Sequence, residues 1–163
     1  MSERRPRQVA APDVEAGWPE PPIVVLDRRR ALHAFDWAAL AAIGVSLIYG
    51  LLWAIELHLG LIAVAVMGGW LIGGAASYGA WRGSLHIPSL WLRVLAAALG
   101  GAAWLGGAVV SYVVAQVVFP DPATPFLERL SFGGFAEYLG SVFDFVHGIA
   151  VAALAFFAWR SAR

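Results

Sequence analysis

Between Trp37 and Trp81 the chain carries no arginine or lysine, and its only acidic residue is Glu56. At about 1.5 Å of rise per residue, this run is far too long for one crossing of a hydrocarbon core about 30 Å thick. It divides naturally into two helices of about 20 residues each. The tight turn between them falls at Glu56-Leu57-His58-Leu59-Gly60. The pattern predicts helices over residues 37–56 and 60–81, and two later apolar stretches predict helices over 90–118 and 140–159. The expected fold class is all-α: a polytopic integral membrane protein with four transmembrane helices in an antiparallel bundle.

The segments between these runs set the expected organisation. Residues 1–36 read as a proline-containing cytoplasmic tail, with Pro12, Pro19, Pro21 and Pro22 interrupting any helix. The late, long apolar run does not resemble a cleaved signal peptide. Asp36 is the expected cap of the first helix. Residues 37–163 form the transmembrane domain, which includes an external hydrophobic loop over 119–139. That loop is rich in Phe, Leu and Tyr, which suits the membrane interface, a short amphipathic helix or a partner surface.

Within the helices, spacing assigns faces. Ser46, Tyr49, Trp53 and Glu56 recur at intervals of three and four and share a side of the first helix. Ala65, Gly69, Gly73 and Ser77 form a ladder of small residues on the second helix, and Ala103, Gly107, Ser111 and Ala115 form another on the third. Such ladders let backbones approach closely, either within the bundle or against another subunit. The stretches WLIGGAASY at 70–78 and WLGGAVVSY at 104–112 are alike with a one-residue gap. An internal repeat is a transporter feature.

Composition supports the membrane reading. Hydrophobic residues make up 60% of the chain and charged residues 13%, where a soluble domain is about a quarter charged. The absence of cysteine excludes disulfides, thiolate nucleophiles and cysteine-held metal centres within the chain. Every basic residue is an arginine. In the four-span threading, Arg4, Arg5, Arg7, Arg28, Arg29, Arg30, Arg82, Arg93, Arg160 and Arg163 share one side, and Arg129 alone is opposite. The positive-inside rule puts both termini in the cytoplasm, across what reads as a bacterial cytoplasmic membrane. Arg28, Arg29, Arg30, Arg82, Arg93 and Arg160 are then cytoplasmic basic anchors for lipid head groups.

The same threading brings Glu56, His58, Tyr112, Gln116, Asp144 and His147 toward one leaflet. Carboxylates and imidazoles at matched depth are the residue types of a metal site or a proton relay. His58 and His147, from different elements, are the pair that a haem-bearing reading would use. Compact metal-binding spacings, a catalytic triad and a phosphate loop are missing from the sequence. No enzyme and no particular cofactor is therefore implied, and nothing points to nucleic acid. The expected partners are membrane lipids and other membrane subunits, or a second copy. The leading expectation is a structural or accessory subunit of a larger membrane assembly. The alternatives are a small oligomeric transporter or ion or proton channel, motivated by Glu56, and a membrane redox or metal-binding component, motivated by the histidines.

Overall fold

The structure is a computed structural model of the chain, and it describes residues 27–81, 89–119, 125 and 129–162. The tail before Asp27, and Arg82 and His86 in the connection after the second helix, lie outside the described residues. Regular structure among the described residues is entirely helical: α1 (Arg28–Ala54), α2 (His58–Trp81), α3 (Leu90–Val118), α4 (Phe132–Val142) and α5 (Phe145–Ser161).

α1 begins well before the expected Trp37. Residues 28–36 contain Arg, Ala and Leu, all strong helix formers, and no proline. Tertiary contact holds these extra turns: Ala34 and Ala38 are fully buried, and the α-carbon of Gly79 in α2 lies against the His33 carbonyl. Asp36 is therefore an exposed residue inside the helix. Asp27 occupies the cap position instead, without a side-chain capping bond.

The turn between α1 and α2 is a Schellman motif. The Leu57 N–H donates to the Leu52 carbonyl at 3.1 Å, and the Glu56 N–H to the Trp53 carbonyl at 3.0 Å. This closure needs a left-handed residue after the cap, usually glycine. Here that residue is Glu56, with φ of 57°.

α1 packs against α2 and α3, and α5 packs against the same two helices, so α2 and α3 stand diagonally. Around the bundle the order is α1, α2, α5, α3. The two ladders therefore meet different partners rather than each other. On α2, Gly69 lies against the Leu154 carbonyl, and Gly73 lies against the Ala158 carbonyl, both in α5. On α3, Gly107 faces Tyr49 of α1 and Gly100 faces the Leu154 carbonyl of α5. Ser46 Oγ lies 2.8 Å from the Ala42 carbonyl of its own helix and 3.0 Å from the Ala103 carbonyl, so its one hydrogen is shared between α1 and α3.

Side-chain size is distributed inversely to a soluble fold. The core is dominated by Ala, Gly and Ser, including Ala65, Gly69, Gly73, Ser77, Ala103, Gly107 and Ser111. Large apolar residues point outward: Leu40 is 63% exposed, Ile43 59% and Met67 72%. In water this surface would be a severe liability. In lipid it is cheap, because acyl chains are as apolar as leucine and close packing alone favours helix association. The chain thus has the character of an integral membrane protein with a helical bundle.

Three helices, α1, α2 and α3, are long and apolar enough to cross a membrane. α4 and α5 meet that test only together, and they are bent by 103° at their junction. The sequence pattern reads straight through Asp144, but the structure breaks there. Asp144 is extended, with φ of −126°, and its carboxylate accepts the backbone N–H of His147 at 3.0 Å. A short acidic side chain that bonds the backbone three residues on favours a helix start over a helix interior. Ser131 does the same for α4, accepting from the Gly134 N–H at 3.1 Å.

Arg28, Arg29, Arg30, Arg93 and Arg160 all lie at one end of the bundle, where the Arg30 guanidinium sits 5.7 Å above the Trp81 ring and Arg93 Nε donates to the Ala162 carbonyl at 3.3 Å. The opposite end holds the α1–α2 turn, the close of α3, and α4.

Candidate functional site

At the end away from the arginines, the helices part around a cavity of about 690 Å³. Its walls come from α1, α2, α3, α4 and α5, and are mostly apolar. Glu56 and His58 stand exposed on one side of it, because the Schellman turn ends α1 there and starts α2. Ala115 and Val118 of α3 and Tyr138 of α4 line another side. His147, in the first turn of α5, contributes a side chain only 2% exposed.

The bend at Asp144 positions that imidazole. Asp144 Oδ1 bonds both the backbone N–H of His147 and its ring Nδ1, the latter at 2.7 Å. An ionised carboxylate only accepts, so Nδ1 carries the hydrogen, and in the neutral imidazole Nε2 then presents a lone pair. Nε2 is buried and has no hydrogen-bond partner among the described residues. The ring is stacked on Trp53 of α1, with centroids 3.9 Å apart and planes tilted by 35°. Trp53 also meets Tyr49, Trp104 and Tyr138, at centroid distances of 5.9, 6.0 and 6.5 Å. Phe143, just before the bend, sets its edge against Trp104 at 5.8 Å. Tyr49 Oη and Trp104 Nε1, buried in this aromatic cluster, make no hydrogen bond that meets ordinary geometry.

The expected polar cluster is divided by the structure. Glu56, His58 and His147 line one cavity, with Asp144 braced behind His147. Tyr112 and Gln116 line a second, more open hollow of about 440 Å³ with Arg129 and Glu137. Tyr138 borders both, and its hydroxyl shares a hydrogen bond of 2.7 Å with Ser111 Oγ. Tyr112 donates to the Arg129 carbonyl, and Arg129 Nη1 donates to the Gln116 carbonyl at 3.2 Å. These bonds tie Arg129, just ahead of α4, to the end of α3. Among the described residues no group of three or more His, Asp or Glu gathers as a metal-binding set.

Spacing within single helices does not reveal the aromatic wall. It places Tyr49, Trp53 and Glu56 on one face, but Trp104, Tyr138 and Phe143 join them only through the helix order. The chain matches no known protein family, no curated protein and no solved structure.

Proposed function

We propose that the chain is a four-span structural or accessory subunit of a larger membrane assembly. The carrying observation is the distribution of side chains. Backbone contacts at Gly69, Gly73, Gly79 and Gly100 fill the interior between the cavity and the arginine end. Large apolar residues face outward, and α4 lies across the far end with none of its residues buried. Phe132, at 85% exposure, and Phe145, at 80%, present aromatic surface beside it. This is a body filled inside and featured outside, which suits attachment to neighbours better than conduction along its own axis.

In this reading α5 is the fourth span. It runs from the level of Trp53, where His147 stacks, to the level of Arg93, beside Ala162. The arginine end faces the cytoplasm of a bacterial cell by the positive-inside rule, and α4 lies at the outer interface. The test is extraction in a mild detergent followed by native mass measurement. The reading expects a heteromeric complex that is lost in a Phe132→Ala and Phe145→Ala double variant. A uniform monomer, unaltered by that change, would refute it.

One observation favours a transport reading: Glu56, His58 and His147 line a common cavity. Because the inner half of a single copy is filled, a path would run between copies. Solute or proton flux into liposomes, abolished by Glu56→Gln, is its signature. The redox reading rests on His58 and His147, and an absorption spectrum of the purified protein tests it.

A further inference from the structure

We infer that the cavity between the α1–α2 turn and the start of α5 binds a hydroxyaromatic amphiphile, whose hydroxyl donates to His147 Nε2. This goes beyond the subunit reading and does not depend on it. Three features combine. First, Nε2 is a buried acceptor without a partner among the described residues, in a ring only 2% exposed that lines the cavity. A buried polar atom left unmatched is costly and is normally satisfied. In the neutral imidazole the Asp144 carboxylate, 2.7 Å from Nδ1, keeps the hydrogen there and leaves Nε2 the acceptor, so the partner that this form calls for is a donor.

Second, the walls are aromatic and aliphatic. Trp53, Tyr138 and Phe119 line the cavity beside Val142. The volume, about 690 Å³, lies within the range of small-molecule sites. A planar ring fits this lining better than a hydrated ion, and no set of metal-ligating side chains gathers among the described residues. Third, the cavity borders the outward apolar surface: Ile55 is 68% exposed and Val118 58%, and both are wall residues. An alkyl tail attached to the bound ring would leave over these residues into lipid. Glu56 and His58, exposed at the same end, keep the polar edge wet.

The inference concerns binding alone and involves no electron transfer. It is tested with the full chain in nanodiscs, using para-octylphenol and its methyl ether para-octylanisole as probes. Calorimetric titration is corrected against empty nanodiscs. The phenol should bind above the empty control, the ether about tenfold or more weakly, and unsubstituted phenol more weakly than its octyl derivative. In His147→Phe, which keeps a ring but has no acceptor, the preference for the phenol over the ether should vanish. Ala115→Trp puts a large side chain into the cavity from α3 with residue 147 unchanged, and should abolish saturable binding of both. Equal affinity of the wild-type chain for phenol and ether would overturn the inference, whether or not the variants fold. So would binding that survives Ala115→Trp, or haem uptake that gives an absorption band lost in His147→Phe.

Discussion

Two neighbouring positions on α2 give opposite expectations for the same substitution. A β-carbon added at Gly69 would stand 2.7 Å from the Leu154 carbonyl oxygen, 2.9 Å from Phe157 Cβ and 3.0 Å from the Ala158 nitrogen. Carbon-to-oxygen contacts relax at about 3.3 Å, so α5 must retreat by roughly half an ångström. Two of the three obstructing atoms are backbone and cannot rotate away. A gap of that size forfeits about a quarter or more of each dispersion contact along the seam. Overpacking of this kind costs about 3 kcal/mol at its upper end, and the helix propensity gained from alanine offsets about 1 kcal/mol. Gly69→Ala should therefore destabilise by about 2 kcal/mol. At Gly74 an added β-carbon meets nothing within 4 Å, so Gly74→Ala should stabilise by up to about 1 kcal/mol. The assay is reversible unfolding in mixed micelles, followed by tryptophan fluorescence. A difference of about 3 kcal/mol separates the variants by a factor of about 100 in equilibrium constant. Equal stabilities, or the opposite order, would refute the α2–α5 seam.

Further expectations follow from the turn, the bend and the α1–α3 seam. Glu56→Gly should raise stability by about 1 kcal/mol in the same unfolding assay, because a left-handed residue with a side chain is strained by about that much. Asp144→Ala should cost about 1 kcal/mol or more through loss of the cap on α5. Asp144→Asn, which can still accept the backbone N–H, should retain more of that stability, and the histidine ring nitrogen signals in NMR should shift in both variants. Ser46→Ala removes the bond to the Ala103 carbonyl and should cost only about 0.6 kcal/mol, the usual worth of such bonds in membranes. A loss of several kcal/mol there would mean that Ser46 has a larger role than one interhelical bond.

The apolar runs made α2 and α3 legible nearly to the residue, because long stretches with almost no charge leave few alternatives. The start of α1 was less legible. Arg28 to Asp36 looks like a polar flank, yet Ala34 and Ala38 give those turns a face to bury against α2. The bend at Asp144 was hidden for a similar reason. The expected helix over 140–159 runs straight through Asp144, while capping chemistry starts α5 there and leaves residues 140–142 to α4. Asp144 and His147 lie close because they are three positions apart, whether a helix runs through Asp144 or starts at it. The partner of each small-residue ladder was beyond the sequence, because Gly69 and Gly107 announce close approach without naming the helix that approaches. The same holds for the cavity wall: Trp53 and His147 are distant in the chain, and only the order α1, α2, α5, α3 brings their rings together.

In the proposed orientation the arginine end of the membrane bundle faces the cytoplasm. The chain contains no cysteine, so single replacements can be labelled without background. Intact cells carrying Glu56→Cys or Arg160→Cys would be treated with a membrane-impermeant maleimide, with and without prior permeabilisation. Glu56→Cys should label in intact cells, and Arg160→Cys only after permeabilisation. Labelling of Arg160→Cys in intact cells, or recovery of the unlabelled chain in the soluble fraction without detergent, would contradict the account.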